Sequence, residues 1–546
     1  MKNIIISLIF ILGSLNIFSQ SNNFTEAFKA SYNENPNIPK GLLEAISYSK
    51  THISNLDTNQ TSCMGLAIHY GPMGLVNENN SYLNNTAKLI SEITNVEINK
   101  ILQEPYHNIT SYAKALAFLS NNSTNIYDYL ASIKKLSEFP RHNENQMFIL
   151  DTELYSIALI LSNKKIMSAL NLKEYNLNFK KIFGANLPLL SSKKITIKGN
   201  KIYDNSGNVY KSSCQDYPLG LWVASSNYNS RGSTAVTDIT IHTVQGSYSG
   251  CISYFQSTSS GVSAHYVIRS IDGQVTQMVC ETDRAWHVGT ENSYCIGIEH
   301  EGYVNDSSWY TNSMYQSSAD LVRDITNSGY GISPISSYRG TSQTVLNSCY
   351  HIKGHIHFPN QTHSDPGIFW DWERFYHLIN DNLMTNYEYN YIGDFSDNGG
   401  QSNPYNSFEN YMTVIYPQNI DSLMLSFTSF DLESGYDSMT IYDGIDTNGI
   451  FLGSYSGTNS PGTVIGTSGS LAIVFYSDCL INNDGWQANW TSYPNFTSIE
   501  EYNSEKTLIK IIDLLGREVN LNTIKKNILL IYVYSDGTVE KKINTY

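Results

Sequence analysis

The sequence predicts a protein of several domains, in which a helical domain precedes a mixed α/β domain, an all-β module and a small β-rich tail. The chain has 546 residues, and such a length predicts about three to four domains. Apolar residues recur at three- and four-residue steps up to about residue 180, whereas apolar and polar residues alternate beyond about residue 390. Hydrophobic residues make up 41% of the chain, so each domain can bury a core.

The first twenty residues, MKNIIISLIFILGSLNIFSQ, have the pattern of a secretory signal peptide. Lys2 gives a positive start, residues 4–12 form an apolar run, and cleavage is expected near Ser19 or Gln20. An N-terminal membrane anchor is the alternative, but the run is shorter than the roughly 18 residues that a span needs. No other segment reaches that length, so we expect a secreted or cell-surface protein whose mature chain has no transmembrane segment.

Charge and cysteine content restrict the partners and the compartment. The 34 basic and 49 acidic side chains give a net charge of −15, which disfavours nucleic acid and anionic membranes, since both bind a basic face. Seven cysteines in an exported chain predict disulfides with one cysteine left over. Five of the seven lie between Cys214 and Cys349, so any bridges are expected within that region, although their pairing cannot be read from the sequence.

The helical domain is predicted over residues 21–190. Its segments NIPKGLLEAISYSKTH, CMGLAIHYGPMGL and HNITSYAKALAFLS resemble lysozyme-like lytic transglycosylases over residues 36–120. Those enzymes use a glutamic acid as general acid, and Lys50 stands at that place, where a lysine is a poor proton donor for a glycosidic oxygen. Glu44 lies about one and a half turns earlier, on another face. The resemblance therefore implies an inactive, glycan-holding domain, and the alternative is an unrelated helical bundle.

The mixed α/β domain is predicted over residues 191–386. TDITIHTV and HYVIRSIDGQVTQMV have the alternation of strands, and Asp272-Gly273 predicts a hairpin turn in the second of them. MYQSSADLVRDITN and WDWERFYHLINDNL have the apolar spacing of helices. These elements predict a mixed sheet with helices beside it.

Residues 351–367, HIKGHIHFPNQTHSDPG, contain four histidines and an aspartate beside a Pro-Gly turn. A zinc hydrolase needs three protein ligands and one open position for water. This stretch offers His355 and Asp365, and His242 offers a third ligand at the end of a predicted strand, which is a rigid place for one.

Five blocks of this domain carry a resemblance to a known family. IHTVQGSYSG, SAHYVIRSIDGQVTQMV, AWHVGTEN, IGIEHEGYV and GHIHFPNQTHSDPGIFWDW resemble, in family order over residues 215–385, the type-2 N-acetylmuramoyl-L-alanine amidases. Those are zinc enzymes related to phage amidase lysozymes and to peptidoglycan recognition proteins. The resemblance implies that His242, His355 and Asp365 bind Zn²⁺.

The same resemblance implies catalytic and substrate-binding roles. Glu299 would take a proton from water and deliver it to the leaving amine, and His363, if protonated, would donate to the developing oxyanion. Many family members carry a lysine at the place of His363, so oxyanion stabilisation here would rest on an imidazole. The bond cut would join the lactyl group of N-acetylmuramic acid to L-alanine. His265 and His287 resemble positions that line the substrate groove.

Several nearby residues offer alternatives to these assignments. His351 is interpreted as structural, and His357 as a residue behind the ligands or at the surface, although both are close enough to His355 in sequence for metal geometry. Glu301 lies on the same strand face as Glu299 and is the main competing catalytic acid. A buried salt bridge is the alternative role for Glu299.

The all-β module is predicted over residues 387–495. FDLESGYDSMTIYDG, LAIVFYSD and GWQANW resemble a CUB domain. The calcium-binding carboxylates of that family would fall on Glu433, Asp437 and Asp478, and oxygen ligands suit such a hard cation. Solvated turn carboxylates are the alternative. The usual disulfides of animal CUB domains are missing, since only Cys479 is present.

The tail, residues 496–546, resembles the C-terminal sorting domain of type IX secretion substrates through IIDLLGREV and LLIYVYSDGTVEKKI. The resemblance implies export across an outer membrane, with the type IX secretion machinery as partner and later removal of the tail. The alternative is a small β-sandwich that does not act as a sorting signal.

The expected function is that of a secreted zinc-dependent peptidoglycan hydrolase that cleaves the amide between N-acetylmuramic acid and L-alanine. The alternative is a non-catalytic peptidoglycan-binding recognition protein. Catalysis is favoured because all three ligand positions and Glu299 are filled. A glycosidase activity of the helical domain is disfavoured by Lys50.

Overall fold

The structure, a computed structural model, describes most of the chain from residue 24 onward. The described residues are 24–56, 62, 64–78, 80, 82–142, 144–191, 196–198, 201–203, 209–211, 216–380, 384–400, 402–494, 507–520, 528–535 and 537–543. The predicted signal peptide and part of the predicted sorting tail lie outside these ranges. Within them, no helix is both long and apolar enough to cross a membrane.

The chain divides into two compact units. The first unit runs to Met384 and also contains Ser407–Asn410 and Ser477–Ile481, whereas the remaining residues form the second unit. The predicted helical and α/β domains therefore belong to one unit.

The part of the first unit that precedes residue 191 is mainly helical. Asparagine side chains cap several of its helices; Asn85, for example, accepts from Lys88 N at 2.8 Å. Leu42, Ile109 and Ile157 are fully buried in its core. A helix over 24–34 is followed by Leu42–Thr51, Thr86–Thr94, Ile98–Gln103, Pro105–Leu119, Ile126–Ile133, Glu144–Ser162, Lys164–Ala169, Phe179–Phe183 and Leu187–Leu190, with two short strands at His69–Tyr70 and Leu75–Val76.

A six-stranded mixed sheet forms the centre of the α/β part. In spatial order its strands are Ile352–Gly354, Asp238–Thr243, Cys295–His300, Tyr266–Ile268, Val275–Gln277 and Leu221–Trp222. Helices Tyr248–Gln256, Asn312–Asn327 and Trp372–Ile379 accompany this sheet, a small sheet pairs Tyr228–Ser230 with Asp283–Ala285, and another joins Thr196–Lys198, Lys201–Tyr203 and Val209–Lys211.

The predicted hairpin is confirmed by the antiparallel pairing of Tyr266–Ile268 with Val275–Gln277. Its turn contains Gly273 at φ +74°, a left-handed conformation that glycine adopts without strain. The other neighbouring strands of the sheet are parallel. Buried parallel strands of this kind place their carboxyl ends, and the residues that follow them, along one edge.

The register of the parallel strands aligns the predicted site residues. Glu299 lies directly opposite His242 on the neighbouring strand, and Gly354, which precedes His355, lies opposite Ile241. Three residues from distant parts of the sequence therefore reach the same edge of the sheet.

The helical and α/β parts share a buried core. Leu66, Phe139 and Ile149 from the helical part pack in one cluster with Val244 and Phe255 from the α/β part. His52 adds a ring contact, because it stacks on Trp309 with ring centroids 3.7 Å apart. The first unit is thus held together by apolar packing across its two parts.

The second unit contains the predicted all-β module. One sheet has five strands, Met384–Glu388, Asn410–Ile415, Leu471–Tyr476, Ser438–Asp443 and Ile450–Tyr455, and the other has four, Ile392–Ser396, Gly485–Pro494, Ile420–Asp431 and Thr463–Gly466. Phe475 and Trp486 are fully buried in its core. The described part of the tail forms a three-stranded antiparallel sheet of Leu508–Ile512, Leu529–Tyr534 and Val539–Ile543.

Disulfides extend beyond the region in which they were expected. Cys349 is bonded to Cys479, which lies 130 residues later in the sequence, so the expectation that all bridges fall between Cys214 and Cys349 is wrong. Cys280 is also disulfide-bonded. Among the described residues, Cys251 and Cys295 are buried free thiols.

Lys50 is buried between two carboxylates in the helical part. Its Nζ lies 3.0 Å from Glu138 Oε2 and 2.8 Å from Glu153 Oε1, and His69 Nε2 lies 3.0 Å from Glu138 Oε1. Burial alone lowers the pKa of Lys50, but the two carboxylates outweigh it and raise that pKa. Burial has the opposite effect on the carboxyl group of Glu138 and raises its pKa, but the positive charges of Lys50 and His69 outweigh burial and lower that pKa to about 2. Lys50 is therefore a fixed cation, which supports the prediction that this position supplies no proton to a substrate.

Replacing Lys50 by methionine is expected to lower the free energy of unfolding by about 3–5 kcal/mol, because Glu138 and Glu153 would be left buried without their cation. Denaturant unfolding of the full chain measures the change. The exposed Lys88, whose Nζ lies 3.9 Å from Glu92 Oε1, is the matched control, and Lys88→Met should cost less than about 1 kcal/mol. Equal stabilities of the two variants would contradict the buried ion pairs.

Candidate metal centre

The three predicted ligands meet at the carboxyl edge of the sheet. His242 Nδ1 lies 2.9 Å from Asp365 Oδ2, and His355 Nδ1 lies 3.3 Å from Asp365 Oδ1. One ligand atom from each residue lies within 4.8 Å of the other two, and all three side chains are buried. Two imidazoles and one carboxylate are a typical catalytic ligand set for zinc.

Local structure explains how each ligand reaches the centre. His242 is the second-to-last residue of strand Asp238–Thr243. His355 begins a 3₁₀ turn directly after strand Ile352–Gly354. Asp365 precedes a Pro-Gly turn in which Gly367 has φ +85°. A Cβ at Gly367 would lie 2.7 Å from Val304 Cβ, so only glycine fits this turn.

Charge and burial shift the pKa values of all three ligands, and the shifts at His242 and Asp365 favour the forms that bind a cation. Burial lowers the pKa of His242 to about 4, so this imidazole is neutral at neutral pH. Burial raises the pKa of Asp365, but His355 and His242 outweigh it and hold that pKa well below its usual range. Burial lowers the pKa of His355, yet the Asp365 charge dominates and raises it, so a proton and a cation would compete for His355.

Unpaired polar atoms indicate that the centre fits a bound ion. Within the described part of the chain, His355 Nδ1, Asp365 Oδ1 and both carboxylate oxygens of Glu299 are buried without a hydrogen-bond partner. Such atoms are costly to bury unless something pairs with them. Because two of these atoms belong to the group of His242, His355 and Asp365, the residues present fit a divalent cation.

Glu299 and Glu301 differ in what their carboxylates contact. Glu299 Oε1 lies 3.9 Å from His242 Nδ1, and no lysine or arginine of the described residues forms an ion pair with it. Burial, with Asp365 nearby, raises the pKa of Glu299 well above its ordinary value. Glu301 instead accepts from Tyr248 N at 2.9 Å and from Ser270 N at 2.8 Å. Glu301 thus accepts hydrogen bonds from two backbone N–H groups, whereas the carboxylate of Glu299 is free to accept a proton.

The other histidines of residues 351–367 do not join the ligand group. His351 Nδ1 lies 3.5 Å from Asp238 Oδ2. His357 is buried with both nitrogens engaged, since Gly354 N donates to its Nδ1 at 3.0 Å and its Nε2 lies 3.0 Å from a backbone carbonyl oxygen. His363 is half-buried beside His355, with ring centroids 4.5 Å apart. Burial and the charge of His355 lower the pKa of His363, which favours a neutral ring as the donor.

His265 and His287 are both buried next to the ligand group, and their predicted place in a substrate groove stays a prediction. His265 Nδ1 accepts from Gly297 N at 3.0 Å. His287 Nδ1 lies 3.0 Å from His242 Nε2, so His287 contacts a predicted ligand directly. A Cβ at Gly297 would lie 2.6 Å from the His287 ring, and this glycine therefore makes room for the contact.

The predicted calcium carboxylates are all buried. Glu433 and Asp437 have carboxylate oxygens within 4.8 Å of each other, and Asp437 accepts from Tyr405 Oη at 2.5 Å. Asp478 lies in Ser477–Ile481 and accepts from Tyr350 Oη at 3.1 Å. Calcium binding here stays a prediction.

Comparison with known proteins agrees with this geometry. Residues 232–368 match the family model described as N-acetylmuramoyl-L-alanine amidase, and residues 392–490 match that of the CUB domain. The chain is 39% identical over 171 residues to N-acetylmuramoyl-L-alanine amidase A of Achromobacter lyticus, which covers 30% of this chain and 96% of the relative. It is 33% identical to 1,6-anhydro-N-acetylmuramyl-L-alanine amidase AmpD of Salmonella typhimurium, over 22% of this chain and 57% of the relative.

A solved structure, N-acetylmuramoyl-L-alanine amidase LysC from Clostridium intestinale URNW, is 20% identical over 30% of this chain and 99% of its own, with a TM-score of 0.23. Two imidazoles, a carboxylate and a nearby glutamate at the edge of a mixed sheet can bind a catalytic zinc ion and transfer a proton, as a metal-dependent hydrolase requires. The chain belongs to the N-acetylmuramoyl-L-alanine amidase family, and it is an enzyme of that class with an additional CUB domain.

Proposed function

We propose that this amidase is zinc-dependent and cleaves the amide between N-acetylmuramic acid and L-alanine in peptidoglycan. The observation that carries the proposal is the buried group of His242, His355 and Asp365, whose ligand atoms face one another and in part lack hydrogen-bond partners. The substrate follows from the family to which the chain belongs.

His242 and His355, through their Nδ1 atoms, and Asp365 would hold the ion. When bound, Zn²⁺ lowers the pKa of water from about 15.7 toward about 7 and polarises the scissile carbonyl. Glu299 takes a proton from the attacking water and delivers it to the amine of L-alanine as the amide bond breaks. His363 donates an N–H to the developing oxyanion, and such donors act strongly at a site shielded from water.

The proposal is tested with purified sacculi and the full chain. Protein stripped of metal by a chelator should release no new N-terminal L-alanine, and protein restored with zinc should release it together with peptide-free glycan. Release without metal would contradict zinc dependence. Absence of release from zinc-loaded protein would instead support a recognition protein that binds peptidoglycan without cutting it.

Export is the second part of the proposal. Residues 1–20 have the pattern of a signal peptide, and the tail resembles type IX sorting domains. Secretion through that route would place the amidase outside the cell and remove both termini. Mass spectrometry of the protein in culture medium should find a mature chain that lacks residues 1–20 and ends before the tail, whereas an intact chain retained in the cell would contradict this.

Replacing His287 by leucine is expected to weaken zinc binding by about 10–100-fold. If His242 binds the ion through Nδ1, its Nε2–H donates to His287 Nδ1 and fixes the ring orientation. Competition with a chromophoric chelator measures the affinity, and His351→Ala, outside the ligand group, is the control. An unchanged affinity in His287→Leu would contradict the positioning role.

A further inference from the structure

A cavity of about 210 Å³ lies where the helical and α/β parts of the first unit meet. Ser54, Asn55 and His69 line it from the helical part, and Gln245 and Asn305 line it from the α/β part. Three of these residues precede residue 232, where the amidase family match begins. The cavity is therefore a feature of this chain's own domain combination.

The lining suits an uncharged, polyhydroxylated ligand. Asparagine and glutamine amides and serine hydroxyls both donate and accept hydrogen bonds, as an acetamido group and sugar hydroxyls also do. Leu66, Ile68 and the ring of Tyr303 supply an apolar surface for the face of a sugar ring. The volume is below the roughly 300–1,000 Å³ of pockets for drug-sized ligands, so one sugar residue is the appropriate size.

The charge of the residues that line the cavity favours the glycan strand of a peptidoglycan substrate over its peptide stem. Among the lining residues, all within the described part of the chain, there is one carboxylate, Asp306, no lysine or arginine, and one histidine, His69, which is already paired with Glu138 at 3.0 Å. The peptide stem carries free carboxylates, which need a basic partner. The glycan strand is uncharged apart from its substituents, so the lining accepts glycan and disfavours peptide.

The cavity also lies on the same edge of the sheet as the candidate metal centre. Gln245 follows His242 by three residues and Tyr303 follows Glu299 by four, which limits the Cα separations to about 11 Å and about 14 Å. Gln245 Oε1 accepts from Val304 N at 2.8 Å, which ties the two loops together. A sugar next to the muramyl residue at the metal centre would fall within this distance.

We propose that the cavity between the helical part and the α/β part binds an N-acetylated amino sugar of the glycan strand, adjacent to the muramyl residue whose amide is cut. The inference rests on the proposed function for its substrate. An enzyme with this site would prefer polymeric glycan as its substrate, and it would cleave isolated muramyl peptides less well.

Binding of a peptide-free oligosaccharide tests the site without catalysis. Zinc-stripped full chain is titrated with tetra-N-acetylchitotetraose by calorimetry, and the double variant Asn55→Ala/Asn305→Ala should bind about tenfold more weakly, through the loss of two hydrogen-bonding amides. Both residues are exposed, so the variant should fold. Asn33→Ala, on an exposed helix position away from the cavity, is the matched control and should bind as the unmodified chain does.

Kinetics with two substrates separates this inference from the amidase proposal. The double variant should raise KM about tenfold for polymeric glycan and leave KM unchanged for a muramyl peptide with a single sugar. No binding of the oligosaccharide by the unmodified chain, or equal binding by the double variant, would overturn the inference. Oligosaccharide binding without cleavage of any substrate would support the cavity and defeat the proposed function.

Discussion

Replacing His355 by alanine is expected to abolish zinc binding and to lower amide cleavage by more than about 10⁴-fold. The reason is that His355 Nδ1 is one of only two imidazole nitrogens in the ligand group, and Asp365 is already shared between them. A site with one imidazole and one carboxylate lacks the three ligands of a catalytic zinc centre. Without the ion, the pKa of water stays near about 15.7 and the nucleophile is scarce at neutral pH.

The same short stretch of sequence supplies the control. His351 is four residues earlier, half-buried, and contacts Asp238 rather than the ligands, so His351→Ala should keep its zinc and most of its activity. Metal content is measured on the dialysed full chain, and cleavage is measured as L-alanine released from sacculi. If His355→Ala retained one zinc per chain, or if both variants lost it, the assignment of ligands would be incorrect.

Replacing Glu299 by glutamine is expected to lower kcat by about 10²–10⁴-fold while zinc remains bound. Glutamine has the same shape but accepts no proton from water, and both carboxylate oxygens of Glu299 lack a hydrogen-bond partner among the described residues, so the substitution breaks no hydrogen bond that stabilises the domain. The side chain lies next to the ligands, with Oε1 3.9 Å from His242 Nδ1, and is not itself in the ligand group. The variant should therefore separate proton transfer from metal binding.

Glu301 provides the contrast, because it lies two residues later on the same edge. Its two oxygens accept from backbone N–H groups of Tyr248 and Ser270, and a glutamine can accept at only one of its two terminal atoms. Glu301→Gln should lower the melting temperature and leave kcat per folded molecule nearly unchanged. A large loss of kcat in Glu301→Gln with normal activity in Glu299→Gln would reverse the assignment.

The sequence predicted the ligand group more fully than its surroundings. His242, His355 and Asp365 were recognisable because their residue types and flanking motifs carry the chemistry. Glu299 and Glu301 could not be separated, since both occupy one face of a strand, and only the backbone groups of Tyr248 and Ser270 distinguish them.

The remaining differences come from contacts between distant segments. The contact of His287 with His242 could not be predicted, because it depends on Gly297 in the strand Cys295–His300, where the missing side chain leaves room for the His287 ring. The bond between Cys349 and Cys479 joins segments whose proximity no local pattern encodes. The hairpin at Asp272-Gly273, by contrast, was predictable because its turn is specified by two adjacent residues.

The pairing of Lys50 with Glu138 and Glu153 also restricts how the helical domain can evolve. A single substitution of Lys50 by glutamic acid would bring three carboxylates together in a buried site that now balances one cation against two anions. Such a substitution would be tolerated only together with changes at Glu138 or Glu153. The buried ion pairs therefore make these three positions depend on one another, so that none of them can change its charge alone without a loss of stability.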